Sequence, residues 1–317
     1  MILIGLTGSL ATGKSTVSTL LRSPPHHLPT IDADALAHRA ILPGTRGYTL
    51  ILSHFGPTTP DLLQPLDPSA PLGVGANATR PIDRAALGRR VFGDGDAQRR
   101  DRAALNGIVH PLVRLAMARE VLGHFVRGRW AVVVDVPLLY ESGLDVWASV
   151  VIMVAVSSPA VQMRRLRARD AGLSATEAED RVGSQMGVGE KVGRTRARGP
   201  RRGKVVLNDG DGGDLERAVG RVLGEVRGEG GGRAWGWWLM GSPYGVAGVS
   251  AWEVCQGWRA RRRWEEERAG EKARLRRITT IDLPVFGTSY KYSVGYGHQS
   301  HHSASSQDVL SRDGLIS

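Results

Sequence analysis

Apolar and polar residues follow two different rhythms along the first two thirds of the chain. Residues 2–6, 131–136 and 150–156 are continuous apolar runs, as parallel strands covered on both faces require. Residues 29–34 form a short run ending in two acids, Asp32 and Asp34, and 204–209 a last one; both read as strands. Between these runs apolar residues return at helical spacing. Leu87, Val91 and Phe92, then Leu105, Ile108, Val109, Leu112, Met117 and Val121, predict helix across 83–126. Further helices are predicted over 159–170, 175–186 and 214–226. Residues 53–81, rich in Pro, Gly, Thr and Ser, read as a surface insertion loop. Strands separated by helices predict an α/β fold, a three-layer doubly wound parallel sheet with ligands at the C-terminal ends of its strands.

The pattern changes beyond residue 226. Residues 228–232 are glycine except for Glu229, which predicts a linker over 227–233. Six of the eight tryptophans then fall between 235 and 264, around an apolar, small-residue stretch and ahead of a run of arginines. Aromatic residues with flanking cations suit a membrane interface. The apolar stretch is shorter than the ~20 residues of a crossing helix, and Gly241, Pro243, Gly245 and Gly248 weaken regular helix there. Residues 234–277 therefore read as an interfacial segment on anionic lipid, or as a hydrophobic hairpin docked on the rest of the protein. Residues 278–317 show no period and read as disordered. One α/β domain is thus predicted over 1–226.

Composition narrows the setting. Among 317 residues there is one cysteine, so no disulfide can form within the chain, and a reducing compartment is expected. No basic leader precedes the first strand, which points to a cytoplasmic protein, with an organelle membrane surface as the attachment that the tryptophan segment suggests. The net charge of +11 is concentrated in 194–204 and 259–277. Such runs can meet polyanions; a solvated loop or face is the reading preferred for each, and no nucleic-acid partner is expected.

The candidate chemistry begins where the first strand ends. Gly8-x-x-x-x-Gly13-Lys14-Ser15, after an apolar run and before a helical stretch, is a phosphate-binding loop in the strand–loop–helix setting it requires. Gly8, Ala11, Thr12, Gly13, Lys14, Ser15 and Thr16 would wrap the phosphates of a nucleoside triphosphate, with backbone N–H groups and a helix N-terminus facing the anion. Lys14 would reach the β- and γ-phosphates, and the Ser15 hydroxyl a Mg²⁺ ion. Asp32 and Asp34, read as sharing one face of an extended segment, could divide two tasks: Asp34 taking the proton of an attacking hydroxyl and Asp32 helping to hold Mg²⁺. Helix capping is the competing role for such a pair. Asp135, at the end of the buried strand, is a further metal-directed acid. Arg165 and Arg169 lie four apart on one helix face, where they could cover phosphates as a lid.

These segments together resemble the dephospho-coenzyme A kinase family, in a eukaryotic, fungal-like form. The similarity runs in order through Gly5–Thr16, the Asp32-Ala-Asp34 segment with His38, Asp83 to Phe92, His110-Pro111, Val136-Pro-Leu-Leu-Tyr-Glu141, Gln162 to Asp170, Arg181, Gln185-Met186 and Asn208. It implies a P-loop NTPase fold of the nucleoside-monophosphate-kinase type, with an acceptor helical region at 83–126 and lid helices at 159–190. It further implies ATP-dependent phosphorylation of the ribose 3′-hydroxyl of dephospho-CoA, with Asp34 as base and Arg165 and Arg169 on the lid. Arg84, His110, Leu138 and Glu141 would line the acceptor side, and Asn208 the nucleotide side. Another small-molecule kinase, or a non-catalytic nucleotide-binding scaffold, are the alternatives. The chain departs from the family at Ser9-Leu-Ala11-Thr12, where Gly-Ile-Gly-Ser is usual, and at His38, where Arg is.

Overall fold

The computed structural model describes residues 1–65, 80–93, 95–170, 172, 174–183, 186–229 and 243–279. Five parallel strands, β1 (Ile2–Gly8), β2 (Thr30–Asp32), β3 (Ala131–Asp135), β4 (Val150–Ala155) and β5 (Gly203–Leu207), form one sheet in the order β2-β3-β1-β4-β5. β3 and β4 are buried along their whole length, which explains their unbroken apolar sequence. Helices α1 (Lys14–Arg22) and α9 (Gly212–Glu229) cover one face, where Val17, Leu21, Leu215, Val219 and Leu223 meet Ile4, Leu6, Val133 and Ile152. α2 (Ala33–Ala40) and α5 (Asp96–Val126) cover the other, bringing Leu36, Met117 and Val121 onto Ile31 and Val132. This is the three-layer arrangement expected from the alternation.

A smaller apolar cluster lies beside the sheet. α3 (Arg46–Phe55) and α4 (Arg84–Val91) bring Tyr48, Ile51, Phe55, Leu87 and Val91 against Leu105, Ile108 and Val109 of α5. The 83–126 helical region is therefore two helices, parted at 92–95. Pro111 sits inside α5. The predicted loop at 53–81 begins with the end of α3 and a 3-10 turn, and Leu63 bridges to Ile82; residues 66–79 lie outside those described.

Four further expectations change. Asp32 and Asp34 do not share an extended face: the chain turns into α2 after Asp32, whose Oδ1 caps that helix by accepting from the N–H groups of Asp34 and Ala35. The helix expected over 175–186 is α7 (Ala175–Gly183), after α6 (Pro159–Arg169) and before α8 (Val188–Arg196); Ser184 and Gln185 lie outside the described residues. The basic stretch 194–204 is not a wholly solvated loop: it ends α8, turns through 197–202 and enters β5, and Arg194, Arg198 and Lys204 are buried. Their charges are met by carboxylates of the same fold, Asp145 buried and Glu225 exposed. Arg194 Nη2 donates to Asp145 Oδ1 at 3.1 Å, Arg198 Nη1 lies 3.6 Å from Asp145 Oδ2, and Lys204 Nζ reaches Glu225 at 2.9 Å. Finally, α9 runs through Arg227–Glu229, so the linker can begin only at residue 230, where the described residues stop.

The C-terminal third is also more regular than its glycines predict. α10 (Pro243–Thr279) is one helix with proline at its first position, where the missing N–H costs nothing. Residues 234–242 and 280–317 lie outside the described residues. The first compact unit extends from Met1 to Trp264 and so contains the first part of α10, past the boundary expected at 226; the described part of the second unit, 265–279, is helical.

Asp145 is the shared partner of two buried guanidinium groups. Its replacement leaves both without a counter-charge, so Asp145→Ala is expected to lower unfolding stability by about 3–5 kcal/mol in chemical denaturation. A loss under ~1 kcal/mol would show that the buried charges do not depend on it.

Candidate active site

β1 ends in a loop whose shape follows from a few contacts. The Thr12 N–H and hydroxyl both donate to the Ser9 carbonyl, at 3.3 and 2.8 Å, closing a tight turn. Gly13 has φ +92°, and a Cβ there would collide with the Asn208 side-chain amide; this position requires glycine. Ala11 also adopts a positive φ, +59°, so the departure from the family's glycine is carried by a left-handed alanine. Ser9, the other departure, is buried and its hydroxyl has no hydrogen-bond partner. Two side chains tie the loop to distant strands and helices. Asn208 Nδ2 donates to the Thr12 carbonyl at 2.9 Å, and Gln162 Nε2 to the Leu10 carbonyl at 2.8 Å. α1 begins at Lys14, and Ser15 and Thr16 are exposed on its first turn.

Strand register sets the acids. Leu6 of β1 aligns with Asp135 of β3, which aligns in turn with Asp32 of β2. Lys14 Nζ bonds Asp135 Oδ1 at 2.6 Å, with both side chains largely buried. Asp34 stands on the first turn of α2 beside this pair. Lost hydration raises its pKa above the ordinary carboxylate value. Repulsion from Asp32 adds to this, Lys14 pulls the other way, and Asp135 pushes up again. Thus Lys14, Asp32, Asp34 and Asp135 are brought together. Among the described residues no three His, Cys, Asp or Glu converge as a metal cage. One hydroxyl and one or two carboxylates near a phosphate loop suit a Mg²⁺ that arrives with its nucleotide and keeps most of its waters.

The segment 136–141 leaves β3 next to that cluster and is held from two sides. The Pro137 carbonyl accepts from Thr7 Oγ1 and from Lys191 Nζ, each at 3.1 Å. Lys191, fully buried on α8, also pairs with Glu141 at 2.9 Å. The Thr195 hydroxyl donates to the Lys191 carbonyl at 2.7 Å, so the Tyr140 hydroxyl is the donor in its 2.6 Å bond to Thr195. Burial pushes the Tyr140 phenol up to about 12, against that hydrogen bond and the nearby arginines, and keeps it protonated. Leu138, 44% accessible, and Glu141 are the exposed residues of the segment. Lys191, Arg194, Thr195 and Asp145 were not singled out for this role from sequence. Part of the signal was available, because 191, 194 and 195 fall on one face of α8.

The remaining predicted residues are placed but not gathered. Arg169 is exposed and bonds Asp170 at 3.1 Å, as Arg181 does at 3.4 Å; Arg165 is half-buried on α6. Arg84 begins α4 and His110 lies midway along α5, both exposed.

A parallel sheet that delivers a phosphate loop from its first strand, with a lysine opening the next helix and three carboxylates where β2 and β3 end and α2 begins, defines a P-loop kinase type of protein. Comparison with known proteins makes this specific. Residues 2–198 match the family model for dephospho-CoA kinase. The dephospho-CoA kinase of Symbiobacterium thermophilum is 46% identical over 197 residues, 61% of this chain and 71% of that protein. That of Saccharomyces cerevisiae is 37% identical over 195 residues, 62% and 73% of the two chains. The crystal structure of TT1252 from Thermus thermophilus has 33% identity and a TM-score of 0.51, over 71% of this chain and 97% of that one. The chain belongs to the dephospho-CoA kinase family. It is a transferase of the kinase class, with fungal as well as bacterial relatives.

Proposed function

We propose that the chain transfers the γ-phosphoryl group of ATP to the ribose 3′-hydroxyl of dephospho-CoA, giving coenzyme A and ADP. The observation that carries this reading is the joining of two parts at one sheet edge: the phosphate loop, and the 136–141 segment that the family resemblance assigns to the acceptor, linked through Thr7–Pro137 and Lys14–Asp135. Lys14 exchanges Asp135 Oδ1 for the β- and γ-phosphates when nucleotide enters. Gly8, Ala11, Thr12, Gly13 and Thr16 shape the cradle, and Asn208 holds it by its bond to Thr12. Ser15 and Asp135 would hold Mg²⁺, with Asp32 limited to the oxygen not spent on its cap. When bound, the ion offsets charge building on the phosphate oxygens. Asp34 accepts the proton of the 3′-hydroxyl, and its raised pKa makes it a better base than an ordinary aspartate. Arg165 and Arg169 cover the transferring group, Arg169 giving up Asp170 to do so. Arg84, His110, Leu138 and Glu141 line the acceptor side.

The full chain mixed with ATP, Mg²⁺ and dephospho-CoA is expected to yield the 3′-phosphorylated product, identified by mass and phosphorus NMR. Asp34→Asn is expected to keep ATP binding and lose on the order of 10²–10⁴ in kcat. Transfer to adenosine or a simple sugar with none to dephospho-CoA would replace this acceptor, and ATP binding with no transfer would leave a scaffold.

A cytoplasmic enzyme with a peripheral membrane contact is the setting we propose. Among the described residues no helix is long and apolar enough to cross a membrane. Trp252 and Trp258 on α10 are 58% and 50% accessible, with Arg259 and Arg261 stacked over their rings, which suits an anionic interface. The full chain should float with phosphatidylserine vesicles and not with phosphatidylcholine alone, and Trp252→Ala/Trp258→Ala should stay behind. Equal flotation of both chains would exclude this contact.

A further inference from the structure

The family model ends at residue 198, yet the part of α10 up to Trp264 belongs to the kinase unit and meets it through one regular face. Glu253, Gly257, Ala260 and Trp264 follow a spacing of four, three and four, one stripe of a helix. Each meets the enzyme or is shut away from water. Glu253 pairs with Arg202, Ala260 is buried, and a Cβ on Gly257 would collide with the backbone of Val146 in the turn Leu144–Trp147. Trp264 lies against Arg194, its ring centre 5.3 Å from the guanidinium carbon.

Arg194 is stacked a second time. Its guanidinium carbon is 4.7 Å from the centre of the Tyr140 ring, so the cation contacts Tyr140 of the 136–141 segment as well as Trp264. Its Nη2 is fixed by Asp145, while its Nε is buried without a hydrogen-bond partner. Two ring faces therefore supply contacts that hydrogen bonding leaves unfilled. The Tyr140 hydroxyl is anchored at Thr195, and Glu141, the next residue, is anchored at Lys191. A continuous set of contacts thus runs from α10 through Arg194 to the segment beside the phosphate loop.

We propose that Trp264 is a positioning residue of the kinase: by holding Arg194 against Tyr140 it fixes the 136–141 segment, and so sets affinity for the phosphoryl acceptor without touching either substrate. This rests on the reading of that segment as the acceptor side, which turnover of dephospho-CoA by the unmodified chain checks separately.

The experiment is steady-state kinetics of the full-length Trp264→Ala, Trp264→Leu and Trp264→Phe chains, each checked for native circular dichroism and melting. Trp264→Ala is expected to raise KM for dephospho-CoA about fivefold, the size of a cation–π contact at a partly exposed site. Its KM for ATP and its kcat should stay within twofold. Trp264→Phe, which keeps a ring face, should recover most of the loss, and Trp264→Leu, apolar but without one, should not. If Trp264→Ala does not fold, the Leu and Phe chains decide the matter. An acceptor KM unchanged in the folded Leu chain overturns the proposal. So does a fall in kcat with both KM values intact, which reports only less folded enzyme.

Discussion

Strand register is the constraint on which the rest depends. Leu6, Asp135 and Asp32 stand at one level across β1, β3 and β2, so three chain segments leave the sheet side by side. The first becomes the phosphate loop, the second the 136–141 segment and the third the helix carrying Asp34. A one-residue slip of β3 would send Asp135 to the opposite face and take it from Lys14. In the observed register Val133 packs with Ile4 and Leu6 on one face, and Val132 with Ile31 and Leu36 on the other.

Around that edge the fold places charge where an apolar core would have been simpler. Asp145 joins Arg194 and Arg198 inside the protein, and Lys191 is wholly buried, reaching the Pro137 carbonyl and the more exposed Glu141. Buried ion pairs contribute little net stability once desolvation is counted, but they accept few geometries. Here the geometry they select is that of the segment after β3. Lys191 and Arg194 of α8 fix its backbone and side chains at three points: the Pro137 carbonyl, Glu141 and the Tyr140 ring. Stability and placement are thus assigned to different groups: valines and leucines of the strands hold the sheet, and the cations of α8 aim the loop.

Much of this was legible in the sequence, for physical reasons. A strand buried on both faces has no polar position to hide, so β3 and β4 were plain. The phosphate loop was plain because Gly13 must take a positive φ beside Asn208. Asp32 and Asp34 were found, but not the turn between them: two acids after a strand are compatible with an extended pair and with a capped helix, and only the side-chain bond to Ala35 decides. The basic stretch was misread because positive charge normally means solvent. Arg194, Arg198 and Lys204 escape that rule through partners tens of residues away or more in sequence, which no local pattern encodes. Gly245 and Gly248 also misled, since α10 runs unbroken through both.

With Asp34 proposed as the group that takes the acceptor's proton, the pH dependence of kcat/KM for dephospho-CoA tests that role most directly. A protonated carboxyl cannot accept, so activity should fall as pH drops through the Asp34 pKa. The structure raises that value above the ordinary one, through lost hydration and then through Asp32. Asp32→Asn keeps a capping oxygen but removes the repulsion. The acid limb should therefore lie above the ordinary aspartate range in the unmodified enzyme and move to lower pH in Asp32→Asn. A limb that stays in place, or moves to higher pH, would contradict the assignment.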